Sequence, residues 1–179
     1  MQSDLLKVIR AAQFAAVKHS AQRRKGEAAE PYVNHVLEVA HLVAEAGLDA
    51  DVVAAALLHD TVEDTETSAA ELAAAFGPLV TSMVLELTDD RSLPKAERKR
   101  LQVERAPHKS AGAQAIKTAD KISNLRTILA SPPADWSEQR KRDYFDFAHA
   151  VVAGLAQAPE SLLAEFDAVY QRFPGIVQR

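Results

Sequence analysis

Residues 51–67 read DVVAAALLHDTVEDTET. Eight residues, 51–58, are almost wholly apolar and recur at no strand-like alternation, the pattern of a helix buried on every side. Four polar residues then follow at once: His59, Asp60, Glu63 and Asp64. At helical spacing His59 neighbours Glu63, and Asp60 neighbours both Glu63 and Asp64, so three carboxylates share one patch. Carboxylates at a helix C-terminus oppose the helix dipole, and a purely structural end favours Lys or Arg. A solvated charge run is the ordinary reading of such residues, but a divalent cation answers the repulsion better. His59 and Asp60 point about 100° apart on a helix, yet both can reach one ion at its edge, and they cannot complete a site alone.

Working outward, apolar residues recur at helical spacing through most of the chain, and the spacing predicts an all-α fold. The N-terminal helix spans about residues 3–19 and is followed by a basic loop, SAQRRKGEAAEPY, at 20–32. A second helix, HVLEVAHLVAEAG, ends at Gly47, where a left-handed C-terminal residue is wanted. After the acidic cluster, Ser68 and Glu71 have capping-box spacing and open another helix that Gly77-Pro78 ends. LVTSMVLELTD forms the next and stops at Asp89-Asp90. PKAERKRLQVERA then makes a charged helix with a proline suited to its first turn. Residues 111–129 carry an apolar stripe at Ala115, Thr118, Ile122, Leu125 and Leu129, with Lys117, Asp120, Asn124 and Thr127 on an opposite polar face. Pro132-Pro133 separates this helix from SEQRKRDYFDFAHAVVAGLAQ, and a last helix near 160–172 precedes the tail FPGIVQR.

The whole composition bounds the chemistry. At 179 residues, one domain is the default. There is no cysteine, so thiolate metal sites, disulfides and cysteine nucleophiles are excluded. A net charge of −4 offers no general footprint for nucleic acid. No apolar run is long enough for a membrane span and no secretory leader is visible, so a cytoplasmic location is the expectation.

Two further residues stand out as ligands. His35 lies at the start of the second helix, and Asp120 lies on the polar side of an otherwise apolar one. Singly, each reads as a capping or surface residue. With His59 and Asp60 they make two nitrogens and two oxygens, a set suited to manganese, iron or zinc.

This ordered pattern resembles the HD superfamily of metal-dependent phosphohydrolases. The longer strings RRKG, PYVNH, HDTVEDT, LTDD, LPKAERKRLQVE and KTADKISNLR look like the hydrolase domain of the RelA/SpoT family, with greatest similarity to its stand-alone small alarmone hydrolases, metazoan SpoT homologues among them. The resemblance covers about residues 4–170 and implies a single HD-type hydrolase domain over 1–179.

The resemblance also implies roles. His35, His59, Asp60 and Asp120 would hold one Mn²⁺; Glu63 would act as general acid/base and Asp64 would orient the attacking water. Arg24, Lys25, Lys95, Asn124, Arg140 and Tyr144 would line the nucleotide pocket. The implied reaction is removal of the 3′-pyrophosphate from ppGpp or pppGpp, giving GDP or GTP and pyrophosphate, with a small nucleotide as partner and neither nucleic acid nor membrane. Where the family commonly has proline after its first ligand this chain has Val36, and no synthetase segment is expected. Two other readings use the same residues: a phosphohydrolase acting on ppApp or NADPH, and a non-catalytic nucleotide sensor. Arg98, Lys99 and Arg100 read as a solvated helix face; His19, His41, His108 and His149 as surface or satisfied core residues; Tyr32 and Trp136 as packing.

Overall fold

A computed structural model describes residues 3–174. Its elements are α1 (Asp4–Lys18), α2 (Val33–Glu45), α3 (Ala50–Leu58), α4 (Thr61–Asp64), α5 (Ala69–Phe76), α6 (Pro78–Leu87), α7 (Lys95–Arg105), a 3₁₀ turn (Ala106–His108), α8 (Ala111–Ala130), α9 (Glu138–Val152) and α10 (Glu160–Tyr170). Among the described residues there is no strand, only an isolated bridge between Arg23 and Pro31. The all-α expectation therefore agrees with the fold. Of the expected tail, residues 175–179 lie outside the described residues.

Local chemistry sets the helix boundaries. The side chains of Ser3, Asp49, Ser68, Ser110 and Ser137 each accept a backbone N–H from the first turn of the helix they precede. Each satisfies a donor that the helix geometry leaves without an internal partner. Gly47 and Gly77 take φ of +78° and +86°, which lets α2 and α5 end in conformations costly to other residues. Helix α9 stops at Val152 rather than at 157, and Gly154 then passes so close to the 3₁₀ turn that a Cβ on it would lie 3.0 Å from Ala106 Cβ.

Helix α3 is the hub. Every residue from Val52 to Leu58 is buried, and the helix packs against α1, α2, α6 and α8. Fully burying one such leucine is worth roughly 2 kcal/mol, so this short helix is a large share of the core energy. Helix α8 departs from the two-faced expectation. Its stripe residues Ala115, Thr118, Ile122 and Leu125 are fully buried as anticipated, but Lys117 and Asp120 are only 7% exposed and Lys121 only 3%. The reason is that α8 is enclosed from several sides, by α2, α3, α6, α9 and α10. Its polar side faces the interior of a site instead of water. No helix among the described residues is long and apolar enough to cross a membrane.

Candidate active site

Three separate elements converge behind the end of α3. His35 sits in the first turn of α2, His59 and Asp60 occupy the junction of α3 and α4, and Asp120 lies mid-way along α8. His35 Nε2 is 3.5 Å from Asp60 Oδ2 and 3.4 Å from Asp120 Oδ1; His59 Nε2 is 3.0 Å from Asp60 Oδ2. One ligand atom from each of His35, His59 and Asp120 lies within 4.8 Å of the others.

The donor set fits a divalent cation. His59 Nδ1 is 2.8 Å from the carbonyl oxygen of Ala56, which can only accept. Nδ1 must therefore carry the hydrogen, which leaves Nε2, on the side of the cluster, as the nitrogen able to offer a lone pair to a cation. That nitrogen is buried and, despite its closeness to Asp60, has no hydrogen-bond partner of proper geometry. A buried polar atom without a partner is costly. A cation held by His35, His59 and Asp120 would supply the missing interaction, and a metal-binding histidine commonly donates its other N–H to a carbonyl in this way.

Electrostatics agree. Burial pushes the His59 pKa down, but Asp60 more than offsets it and raises it to about 8, so a cation binding at Nε2 must displace a proton there. Burial also works against charge on Asp60 and Asp120. The first is nevertheless held well below the usual carboxylate range by His59 and His35, the second by Lys121 and Lys117. Both acids thus remain anionic at the point where positive charge is wanted.

One turn beyond Asp60, α4 presents Glu63 and Asp64. Glu63 Oε2 accepts the backbone N–H of Asp89 at 2.9 Å, and Oε1 lies 3.9 Å from an Arg98 nitrogen. Arg91 donates to Asp64 Oδ1 at 3.0 Å and to the Glu63 carbonyl at 2.8 Å. Burial, together with neighbouring carboxylates, raises the pKa of both Glu63 and Asp64. A carboxylate so shifted is better suited to taking and returning a proton near neutral pH.

The HD domain family model matches residues 11–158. The chain is 48% identical over 172 residues to the guanosine-3′,5′-bis(diphosphate) 3′-pyrophosphohydrolase MESH1 of Xenopus tropicalis, covering 95% of this chain and 96% of that one. It is 52% identical over 157 residues to the human protein of the same name, covering 87% and 88%. A solved structure, described as a metazoan orthologue of SpoT that hydrolyses ppGpp, superposes with a TM-score of 0.91 at 42% identity over 99% of both chains. The chain belongs to the HD-domain family.

Around the HD cluster, two expected pocket residues are tied directly to it. Arg24 Nη2 donates to Asn124 Oδ1 at 3.0 Å, and Asn124 Nδ2 donates to Asp120 Oδ1 at 2.5 Å. Tyr144 faces the same region: burial raises its phenol pKa, and Asp120 adds to the shift. Lys25, Lys95 and Arg140 are exposed. The Arg140 guanidinium lies 4.6 Å over the Trp136 ring and 3.2 Å from Asp135, so Trp136 holds a cation rather than serving only as packing.

The charged helix α7 corrects another expectation. Of Arg98, Lys99 and Arg100, only Arg100 belongs to a solvated face, paired with Glu97 and Glu104. Arg98 reaches Glu63, and Lys99 Nζ sits 4.6 Å over the Phe147 ring. Lys121 Nζ lies 4.9 Å over the same ring, and burial, with the neighbouring Lys95 and Lys121 charges, lowers the Lys99 pKa.

Several residues of this HD-domain site escaped the sequence reading. Tyr32 donates to Asp60 Oδ2 at 2.6 Å, a polar role in place of packing; its spacing of three before His35 was the available signal. Lys117 and Lys121 each lie 3.6 Å from Asp120 Oδ2. Lys121 also donates to Gln102 Oε1 at 3.1 Å, and Gln102 Nε2 donates to Asp89 Oδ2 at 2.5 Å. These contacts join Glu63, through Asp89, to Asp120 of α8 by a polar chain. His19 is buried beside Tyr32, with ring centroids 5.1 Å apart and Nδ1 2.6 Å from Gln22 Oε1, whereas His41, His108 and His149 are exposed.

Proposed function

We propose that this protein is a metal-dependent guanosine-3′,5′-bis(diphosphate) 3′-pyrophosphohydrolase, a single hydrolase domain with its core at about residues 4–170, that holds one Mn²⁺ through His35, His59, Asp60 and Asp120. The observation that carries the reading is the convergence of ligand atoms from buried His35, His59 and Asp120 within 4.8 Å of one another beside Asp60, with a pair of raised-pKa acids one turn away. The curated relatives bear that activity in their names. Guanine nucleotides are the partners under this reading, and the cytoplasm is the compartment.

A bound divalent cation lowers the pKa of a water and neutralises charge on the phosphoryl oxygens. Glu63 takes the proton from the attacking water and returns it to the leaving ribose 3′-oxygen, as the bond from that oxygen to phosphorus breaks and pyrophosphate departs. Asp64 orients the water. Arg24 can stack its guanidinium plane on the purine and Tyr144 closes the pocket, while Lys25, Lys95, Lys99 and Arg140 meet the diphosphates.

The test is turnover on ppGpp, pppGpp, ppApp and NADPH with Mn²⁺, and with a chelator present. Pyrophosphate should be released from ppGpp and pppGpp, and chelation should abolish it. No pyrophosphate from ppGpp would overturn the assignment; faster phosphate release from NADPH would move the substrate elsewhere.

The loop that carries Arg24 offers a separate prediction. Gly26 packs so tightly on the end of α8 that a Cβ would lie 2.4 Å from the Ser131 carbonyl oxygen, and Ala28 N–H donates to Ser131 Oγ at 2.9 Å. Backbone cannot yield cheaply, so Gly26→Ala should displace the loop at a cost of about 1–3 kcal/mol. KM for ppGpp is expected to rise several-fold while Mn²⁺ affinity stays unchanged. Steady-state kinetics beside metal titration checks this, and an unaltered KM would show that the loop does not position the nucleotide.

A further inference from the structure

His35 is held from behind by a chain of polar groups that the proposed chemistry does not use. Its Nδ1 lies 2.9 Å from Ser123 Oγ, and Ser123, fully buried on α8, donates its hydroxyl to Glu38 Oε2 at 2.6 Å. A serine hydroxyl has one hydrogen. With that hydrogen given to Glu38, the oxygen can only accept from His35, so Nδ1 carries the proton. Nε2 is then left as the lone-pair nitrogen, on the side of Asp60 and Asp120.

Glu38 lies one helical turn beyond His35 on α2. Its Oε1 accepts from Arg126 at 2.9 Å, and Arg126 reaches Glu165 of α10 at 2.6 Å. Burial raises the Glu38 pKa, but the bonds from Ser123 and Arg126 outweigh it, so the group stays ionised. The ion pairs here are about one-third exposed, and pairs of that kind add little to stability. The more consequential bond is the one to Ser123, because it alone sets the direction of hydrogen bonding toward His35.

We propose that Glu38, acting through Ser123, is a positioning residue that fixes the tautomer and ring orientation of His35, so that Nε2 is ready to hold the divalent cation. This inference rests on the metal reading of the cluster. A carboxylate that only accepts polarises the hydroxyl, and the hydroxyl oxygen then accepts from the imidazole.

The test compares the parent protein with Ser123→Ala, Glu38→Gln and the double variant, by two readouts that do not involve turnover. In metal-free protein, a long-range proton–nitrogen correlation spectrum of the histidine rings reports the tautomer: His35 should be Nδ1-protonated in the parent and shift toward a mixture in the variants. Free Mn²⁺ counted by electron paramagnetic resonance gives affinity; Ser123→Ala should bind roughly 10–100-fold more weakly and Glu38→Gln should lose less. The double variant should bind no more weakly than Ser123→Ala. Glu38→Gln keeps size and shape, so it tests the idea even if the serine variant folds poorly. An unchanged tautomer with affinities within about twofold of the parent overturns the proposal, as do losses that add in the double variant. If the parent itself binds no Mn²⁺, the metal reading fails and this inference falls with it; a binding parent with unaffected variants overturns this inference alone.

Discussion

Glu63→Ala is expected to lower kcat on ppGpp by roughly a hundredfold to ten-thousandfold, the range for removal of a positioned general acid/base. The geometry explains why one carboxylate has so large a share. Glu63 Oε2 is held by the Asp89 N–H, which fixes the side chain and leaves Oε1, 3.9 Å from an Arg98 nitrogen, as the oxygen to take a proton. Burial and the adjacent Asp89, Asp60 and Asp64 raise its pKa, so it can hold that proton for part of the cycle. Glu63 is not among the residues proposed to hold metal, and Mn²⁺ occupancy should remain at the parent level. Glu63→Gln should lose nearly as much rate, since it keeps the hydrogen bond from Asp89 but cannot take a proton. Steady-state kcat at saturating substrate, together with metal analysis of the same samples, checks both points. Rates within a few-fold of the parent would mean that the proton passes through another group, with Asp64 the first to examine.

Asp120→Ala is expected to be the most damaging change to the protein as a whole. Its two oxygens have different duties. Oδ1 lies 3.4 Å from His35 Nε2 and accepts from Asn124, whereas Oδ2 lies 3.6 Å from both Lys117 and Lys121. Removing the carboxylate takes a ligand from the proposed metal site and leaves two lysines, 7% and 3% exposed, without their shared counter-charge. Breaking a buried pair by deleting one partner costs roughly 3–5 kcal/mol. For a chain of this length that corresponds to a fall in Tm of roughly 6–20 °C. His59→Ala should also lose metal, but with a smaller loss of stability, because no buried cation depends on it. Thermal unfolding of both variants in chelator, beside Mn²⁺ titration, separates the two effects. An Asp120→Ala protein as stable as the parent without metal would show that Lys117 and Lys121 find other partners.

Legibility differed from place to place along the chain. The helix starts were readable because their chemistry is local: Ser3, Asp49 and Ser68 accept donors two or three residues away. The end of α2 was readable for the same reason, through Gly47. Helix α8 was misjudged on its polar side because periodicity shows which residues differ, not what packs against them. Lys117 and Asp120 looked like a face open to solvent and are enclosed. Arg98 and Lys99 looked solvated for the same reason: nothing within α7 announces that Glu63 and Phe147 lie within reach. Tyr32, Gln102 and Lys121 act through contacts with distant parts of the chain, and short-range patterns do not register those.

The sequence by itself determined that the chain is helical, that α3 is its buried centre, and that histidine and carboxylate groups meet at the end of that helix. Those properties follow from apolar spacing and from the cost of crowding like charges, both of which are written into neighbouring residues. Only the tertiary structure decided that Ser123 sets the direction of the His35 imidazole, that Tyr32 reaches Asp60, and that two buried lysines balance Asp120. The physical reason is that a hydrogen bond or ion pair depends on ångström-scale distance and direction, and packing α2, α3 and α8 together is what supplies them.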